Sequence, residues 1–147
     1  MRVRELDVFT IRMEREKLAK DANTVISIFA TLEVMNLPCE CVAINIDWFS
    51  ITMRADLKVK MVEYMQNLAR NIKGLNVALG ENFRLLVVED YEFTSRKIGF
   101  VMSHLAMEDV EIKMLRQIKN NQKIVIGFEP ELFEKGKQIV LEELAEH

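Results

Sequence analysis

Apolar residues recur along this chain with two periods, and the periods alternate in a fixed order. Over residues 6–13, Phe9, Ile11 and Met13 share one phase and Thr10 and Arg12 the other, the period of a strand with one buried face. The charged run 14–20 reads as a connector. Val25, Ile28, Phe29, Leu32 and Met35 then recur at three- and four-residue steps, which predicts a helix with one apolar stripe. Asp21 or Asn23 is placed to cap it, because a short side-chain acceptor satisfies the free N–H groups of a first turn. Pro38 marks its end. Residues 40–46 and 48–54 are β-rich around Asn45-Ile46-Asp47 and read as an antiparallel hairpin. A second helix begins at Asp56, carries Met61, Met65, Leu68 and Ile72, and is followed by Gly74. Leu75, Val77 and Leu79 alternate as a short strand.

After Gly80 the order recurs. Residues 83–88 read as a strand, and 93–107 as a helix with Ile98, Val101, Met102 and Leu105 as its stripe. Residues 110–118 and 123–128 read as a hairpin turning at Asn120-Asn121. Residues 130–145 read as a last helix, with Pro130 in its first turn. Phe29 aligns with Met102 and Ile51 with Ile124; 102 − 29 and 124 − 51 both give 73, which marks an internal repeat of topology. A strand–helix–strand unit with a right-handed crossover puts its helices on one face of its sheet. The expected fold class is therefore α+β: two ferredoxin-like β/α sandwich units with antiparallel sheets and helices on one face, the first over residues 1–79 and the second over 80–147. A unit that small buries only about 60% of its unfolded surface on its own. Its other sheet face or its edge is thus expected to pack on the other half or on another subunit.

Composition narrows the function classes. The formal net charge is −3, without the basic excess of a nucleic-acid binder. No apolar run approaches the roughly 18 residues of a membrane span, and the N-terminus lacks the apolar stretch of a signal peptide. The two cysteines, Cys39 and Cys41, are two residues apart on a predicted strand, badly aimed for a disulfide. Cytoplasmic localisation, no membrane partner and no nucleic-acid partner are the resulting expectations.

Catalytic groups are sparse. His104 lies mid-helix and His147 is terminal, and neither has a partner visible in sequence. No nucleophile elbow, phosphate-binding glycine loop or metalloprotease motif is present. Cys39-Glu40-Cys41 lacks a second pair or a nearby His to complete a metal site, so two small residues in a buried strand is the preferred reading. The nine methionines fall mostly on the apolar stripes and read as core filler. Trp48 and Phe49 point to opposite faces of one strand; one faces the core and the other an interface. The acidic positions Glu142, Glu143 and Glu146 read as a solvated helix face. An RNA-binding sheet would need stacking aromatics on a basic face; Trp48–Arg54 offers the aromatics without the Gly-rich basic motif. What remains is a backbone site. The loop 20–24 leads into a helix N-terminus, where free N–H groups and the dipole favour a carboxylate, and Asp21 is placed to take an amino group. Capping alone also explains Asp21 or Asn23.

The segments 23–32 (NTVISIFATL) and 36–45 (NLPCECVAIN), followed by the hairpin 46–53 (IDWFSITM), resemble the regulatory ACT region of aspartokinases. The second half, residues 83–144, is similar to a second ACT unit. The resemblance implies a non-catalytic module, without cofactor or metal, that senses a lysine- or threonine-type effector. It also implies a homodimer or higher homo-oligomer, in which units share sheets, and a separate aspartokinase catalytic subunit as target. By position, it implies effector contacts from Asp21, Ala22, Asn23 and Thr24, with Ile44 and Asn45 opposite. The family's Pro-Gly ahead of the helix is replaced here by Ala22-Asn23, and the second loop, Phe93-Thr94-Ser95-Arg96, also lacks glycine. Glycine permits close approach of backbone to ligand. An ACT-like scaffold that has lost its ligand and serves only assembly is the alternative.

Overall fold

The computed structural model describes every residue except 119–121 and 147, so the expected turn at Asn120-Asn121 and the terminal His147 lie outside the described residues. The elements are β1 (Arg2–Glu14), α1 (Ala22–Val34), β2 (Cys41–Ile44), β3 (Trp48–Arg54), α2 (Lys58–Asn71), β4 (Asn76–Glu89), α3 (Ser95–Met107), β5 (Ile112–Ile118), β6 (Lys123–Phe128) and α4 (Phe133–Glu146). They form two compact units, a continuous one, Val8–Glu81, and a split one, Met1–Asp7 with Asn82–His147. The fold is α+β, with four α-helices and one six-stranded sheet in the order β2-β3-β1-β4-β6-β5, in which β1–β3, β2–β3, β4–β6 and β5–β6 pair antiparallel.

In the continuous unit the strand order is β2-β3-β1-β4. β1 and β3 pair antiparallel, with Ile11 opposite Ile51 and Met13 opposite Phe49. Alternation sends these four residues to one face. There they form a cluster with Ile28 and Leu32 of α1 and with Met61, Tyr64 and Leu68 of α2. Tyr64 is fully buried, and its O–H donates to the Ile28 carbonyl at 3.0 Å, so the one polar atom it carries into the core is satisfied.

In the split unit the order is β5-β6-β4-β1. Leu86 lies opposite Ile126 and Val88 opposite Ile124. These residues, with Phe128, meet Val101 and Leu105 of α3 and Phe133, Ile139, Val140 and Leu144 of α4. Gly136 lets α4 approach the sheet closely, since a Cβ there would sit 2.6 Å from the Phe128 ring. Two carbonyls at the end of α4 receive side chains: Tyr91 donates to Leu144 and Lys97 to Glu143, at 3.0 and 3.1 Å.

The repeat extends into the backbone. α1 and α3 are each 13 residues long, and their starts, 22 and 95, are 73 apart. Buried Thr24, Ile28 and Leu32 correspond at that spacing to buried Lys97, Val101 and Leu105. The left-handed residues Lys17 and Asn36 correspond in the same way to Asp90 and Asp109. Beyond β5 the spacing widens: α2 and α4 start at 58 and 133, which are 75 apart. The strand pairing follows the wider spacing, so the counterpart of Ile51 is Ile126 and not Ile124.

Several elements differ from the sequence reading. The short strands expected at 75–79 and 83–88 are one strand, β4, which runs through Gly80. β1 starts at Arg2, and residues 1–7, placed by the sequence with the first half, group with residues 82–147. β2 has four residues at a sheet edge, so Cys39 precedes the strand and is exposed, and Cys41 is only half-buried. Met102 is 40% exposed, and its expected place in the α3 stripe is taken by Lys97, whose apolar stem is buried while Nζ reaches a carbonyl. Glu143 is not on a solvated face; its carboxylate pairs with His104 at 2.8 Å.

Candidate effector site

The chain leaves β1 at Glu14 and reaches α1 through a tight loop. Lys17 adopts φ 57°, and residues 18–20 make one 3₁₀ turn. The loop is tied to the β2–β3 turn by three hydrogen bonds. Arg15 N–H donates to the Asp47 carbonyl, Ala19 N–H to the Ile46 carbonyl, and Lys17 N–H to Asp47 Oδ1, at 3.0, 2.9 and 2.8 Å. These bonds hold residues 15–19 against the turn at Ile46-Asp47 within the continuous unit.

Asp21 is the N-cap of α1. Its Oδ1 accepts from Thr24 N–H at 3.2 Å. Its Oδ2 accepts from Thr24 Oγ1 at 2.8 Å and from Arg15 Nη2 at 2.6 Å. Arg15 also donates to Thr24 Oγ1 and, more weakly, to the Lys73 carbonyl, at 3.1 and 3.4 Å. The Thr24 hydroxyl, the Thr24 amide and Arg15 together hold the Asp21 carboxyl below the usual carboxylate range. Ala22 and Asn23 are exposed in the first turn, Thr24 is buried, and Ile44 and Asn45 are exposed. Asn45 N–H donates to the Trp48 carbonyl at 2.8 Å. Asp21 is thus engaged by an internal cation, Arg15.

The split unit opens its helix in the same way. Thr94 caps α3, accepting from Lys97 N–H at 3.1 Å. A depression of about 290 Å³ lies there, lined by Thr94, Arg96, Lys97 and Phe100. A second depression, of about 420 Å³, is lined by Arg12, Glu14, Arg15, Glu16, Asp47, Trp48 and Asn76. Sequence reasoning missed it. Of its residues it singled out only Trp48, and Trp48 does leave the core to Phe49 and takes the Arg12 guanidinium over its ring at 4.5 Å. Among the described residues no group of three or more His, Cys, Asp or Glu side chains could hold a metal ion. Among the described residues no helix is long and apolar enough to cross a membrane.

No protein-family model and no curated protein matches the sequence. Solved structures do. The ligand-free regulatory subunit of aspartate kinase from Thermus thermophilus superposes with a TM-score of 0.79 at 14% identity, covering 96% of this chain and 95% of that one. The chain has the fold of an aspartate kinase regulatory subunit. Two whole enzymes share that fold over part of their length. Clostridium acetobutylicum aspartate kinase matches 97% of this chain with a TM-score of 0.80 at 16% identity, and this chain spans 34% of it. E. coli aspartokinase III, in complex with lysine and aspartate, matches 97% with a TM-score of 0.70 at 12% identity, and this chain spans 32% of it. The regulatory-subunit fold thus accounts for both units of this chain and about a third of each enzyme.

Proposed function

We propose that this chain is a non-catalytic regulatory module that binds a small amino acid and adjusts a separate aspartate-kinase-like catalytic polypeptide in the cytoplasm. One observation carries the reading: 96% of this chain superposes on 95% of a protein that is a regulatory subunit. The lysine bound to one structural relative points to an effector of that kind. The mechanism is linkage: an amino acid that binds one assembly geometry better than another shifts that equilibrium by its differential affinity.

Assembly with further copies has its own support. No Asp, Glu, Lys or Arg lies between Asp21 and Glu33 on α1, or between Lys97 and Glu108 on α3. These two helices expose Ile26, Val34 and Met107, and Phe100 beneath the Arg96 guanidinium, whereas α2 and both ends of α4 carry charges. Helix faces with few charges, in units whose edge strands are β2 and β5, suit a second copy of the chain.

Calorimetry of the chain against the twenty amino acids, with light scattering in parallel, tests the reading. Heat from one or a few amino acids, with a change in mass or hydrodynamic radius, is the expected result. The scaffold alternative is favoured by one contact, the Arg15–Asp21 pair that fills the ammonium position of the loop. Stable oligomers with no heat from any amino acid would establish it instead.

A further inference from the structure

We propose that Arg15 sets the charge class of the effector: held on Asp21, it leaves the loop ahead of α1 fit for an amino acid with an uncharged or acidic side chain and closed to lysine and arginine. The proposal rests on the regulatory reading above and names the ligand class of that same site. Arg15, Asp21, Thr24 and the residues that brace them all belong to the continuous unit.

Every amino acid brings one carboxylate and one ammonium, and lysine or arginine brings a second cation. The carboxylate suits free N–H groups at a helix N-terminus. At α1, Thr24 N–H is spent on Asp21 Oδ1 and Val25 N–H on the Asp21 carbonyl, which leaves those of Ala22 and Asn23. A second cation needs an acidic partner. Among residues 20–24 that partner is Asp21 alone, and no Asp or Glu follows on α1 before Glu33. The charges around it cancel: Arg15, Lys17 and Lys20 stand against Glu16, Asp21 and Asp47, and the start of the α1 dipole adds a positive end. The engagement of Asp21 therefore decides which side chain the loop accepts.

Arg15 is a fixed partner of Asp21. Its Nη2 donates to Asp21 Oδ2 at 2.6 Å and to Thr24 Oγ1 at 3.1 Å, and Nη1 donates to the Lys73 carbonyl at 3.4 Å. Its Cδ lies against Gly74, 3.6 Å from where a Cβ would sit. An incoming ammonium would have to replace a charge-assisted bond with one of the same kind and leave the Thr24 hydroxyl without its guanidinium, so it gains little. Three bonds leave two of the five guanidinium N–H groups for a ligand. These are cationic donors, which attract a second carboxylate and repel a second ammonium. The exposed Asn23 amide, in the first turn, is a neutral acceptor for the one ammonium that every amino acid carries.

Calorimetry of the full chain against each of the twenty amino acids, in wild type and in Arg15→Gln, tests the proposal. In wild type the tightest ligand should have an uncharged or acidic side chain, with lysine and arginine at least about tenfold weaker, the scale of one hydrogen bond to a charged group. R15Q frees the Asp21 carboxylate, so the ratio of the lysine Kd to that of the tightest wild-type ligand should fall about tenfold. Arg15→Lys keeps the charge as a point ammonium and should hold most of the ratio. An Arg15 that only braced the loop would weaken all ligands alike and leave the ratio unmoved. Circular dichroism and Tm show whether R15Q is folded. If it is not, Asp21→Asn takes its place: it leaves the Arg15 charge uncompensated and should widen the ratio. Lysine or arginine as the tightest wild-type ligand, or an unchanged ratio in the folded variant, overturns the inference while the regulatory reading stands. No heat from any amino acid overturns both.

Discussion

Thr94 and Glu89 show how single side chains hold this structure. Thr94 fills one free N–H at the start of α3. Thr94→Ala is expected to cost about 1 kcal/mol, seen in urea as a lower midpoint at unchanged m. Glu89 is nearly buried and takes Arg2 and Arg4, with Lys123 at 3.7 Å. Hydrogen bonds from Arg2, then Arg4, hold its carboxyl down at about 2, from an ordinary 4.5. A depressed carboxyl stabilises the fold fully above its unfolded value, and that contribution is lost as pH falls from about 4.5 toward 2. Acid titration of wild type and Glu89→Gln should therefore show wild type the more stable at neutral pH, with the gap closing across that window. A gap that is constant from pH 7 to pH 2 would refute the assignment. A cap at Asp21 or Asn23 was legible, because a short acceptor ahead of an apolar stripe has a local meaning, and the structure places it at Asp21. The Arg15–Asp21 pair was not, since it depends on Lys17 taking a left-handed turn. Nor was Glu89, whose partner Arg2 is 87 positions away.

At the scale of elements, helices and hairpins were legible from their periods, and the errors lie where a residue serves a neighbour and not its own period. Gly80 reads as a terminator. In the structure it lies inside β4, where a Cβ would come 2.3 Å from Thr10 Oγ1. Gly80→Ala should cost about 1–3 kcal/mol as an overpacked contact. The cost should shrink in a Thr10→Ala background, and a double-mutant cycle by chemical denaturation measures the coupling. Equal costs in both backgrounds would mean that backbone freedom, not crowding, explains the glycine. Tyr64 was missed because Met65 satisfied the same stripe. Tyr64→Phe should lose roughly 0.5–1.5 kcal/mol with the hydrogen bond to the Ile28 carbonyl.

For the whole molecule, the repeat was legible because 73-residue spacing imposes itself on apolar positions without any long-range knowledge. Which strand completes which sheet was not, because Arg2-Val3-Arg4-Glu5 carries only a faint alternation and its partner Glu89 lies on the far side of one complete unit. Deleting residues 1–7 should weaken the split unit selectively. Hydrogen exchange would then quicken in β4–β6, α3 and α4 while Ile11, Ile51 and Tyr64 keep their protection. Uniform loss, or loss confined to residues 8–81, would contradict the grouping. The same grouping bears on synthesis at the ribosome. Residues 1–7 emerge before residues 8–81, yet the unit they join is completed only by residues after 81. During that interval the continuous unit can finish folding, while the leading segment waits as an unmatched edge, the kind of surface that recruits other nascent chains. Two arginines in its first four positions give that edge a like-charge barrier to self-association for as long as the delay lasts, and Glu89 dissolves the barrier when it arrives.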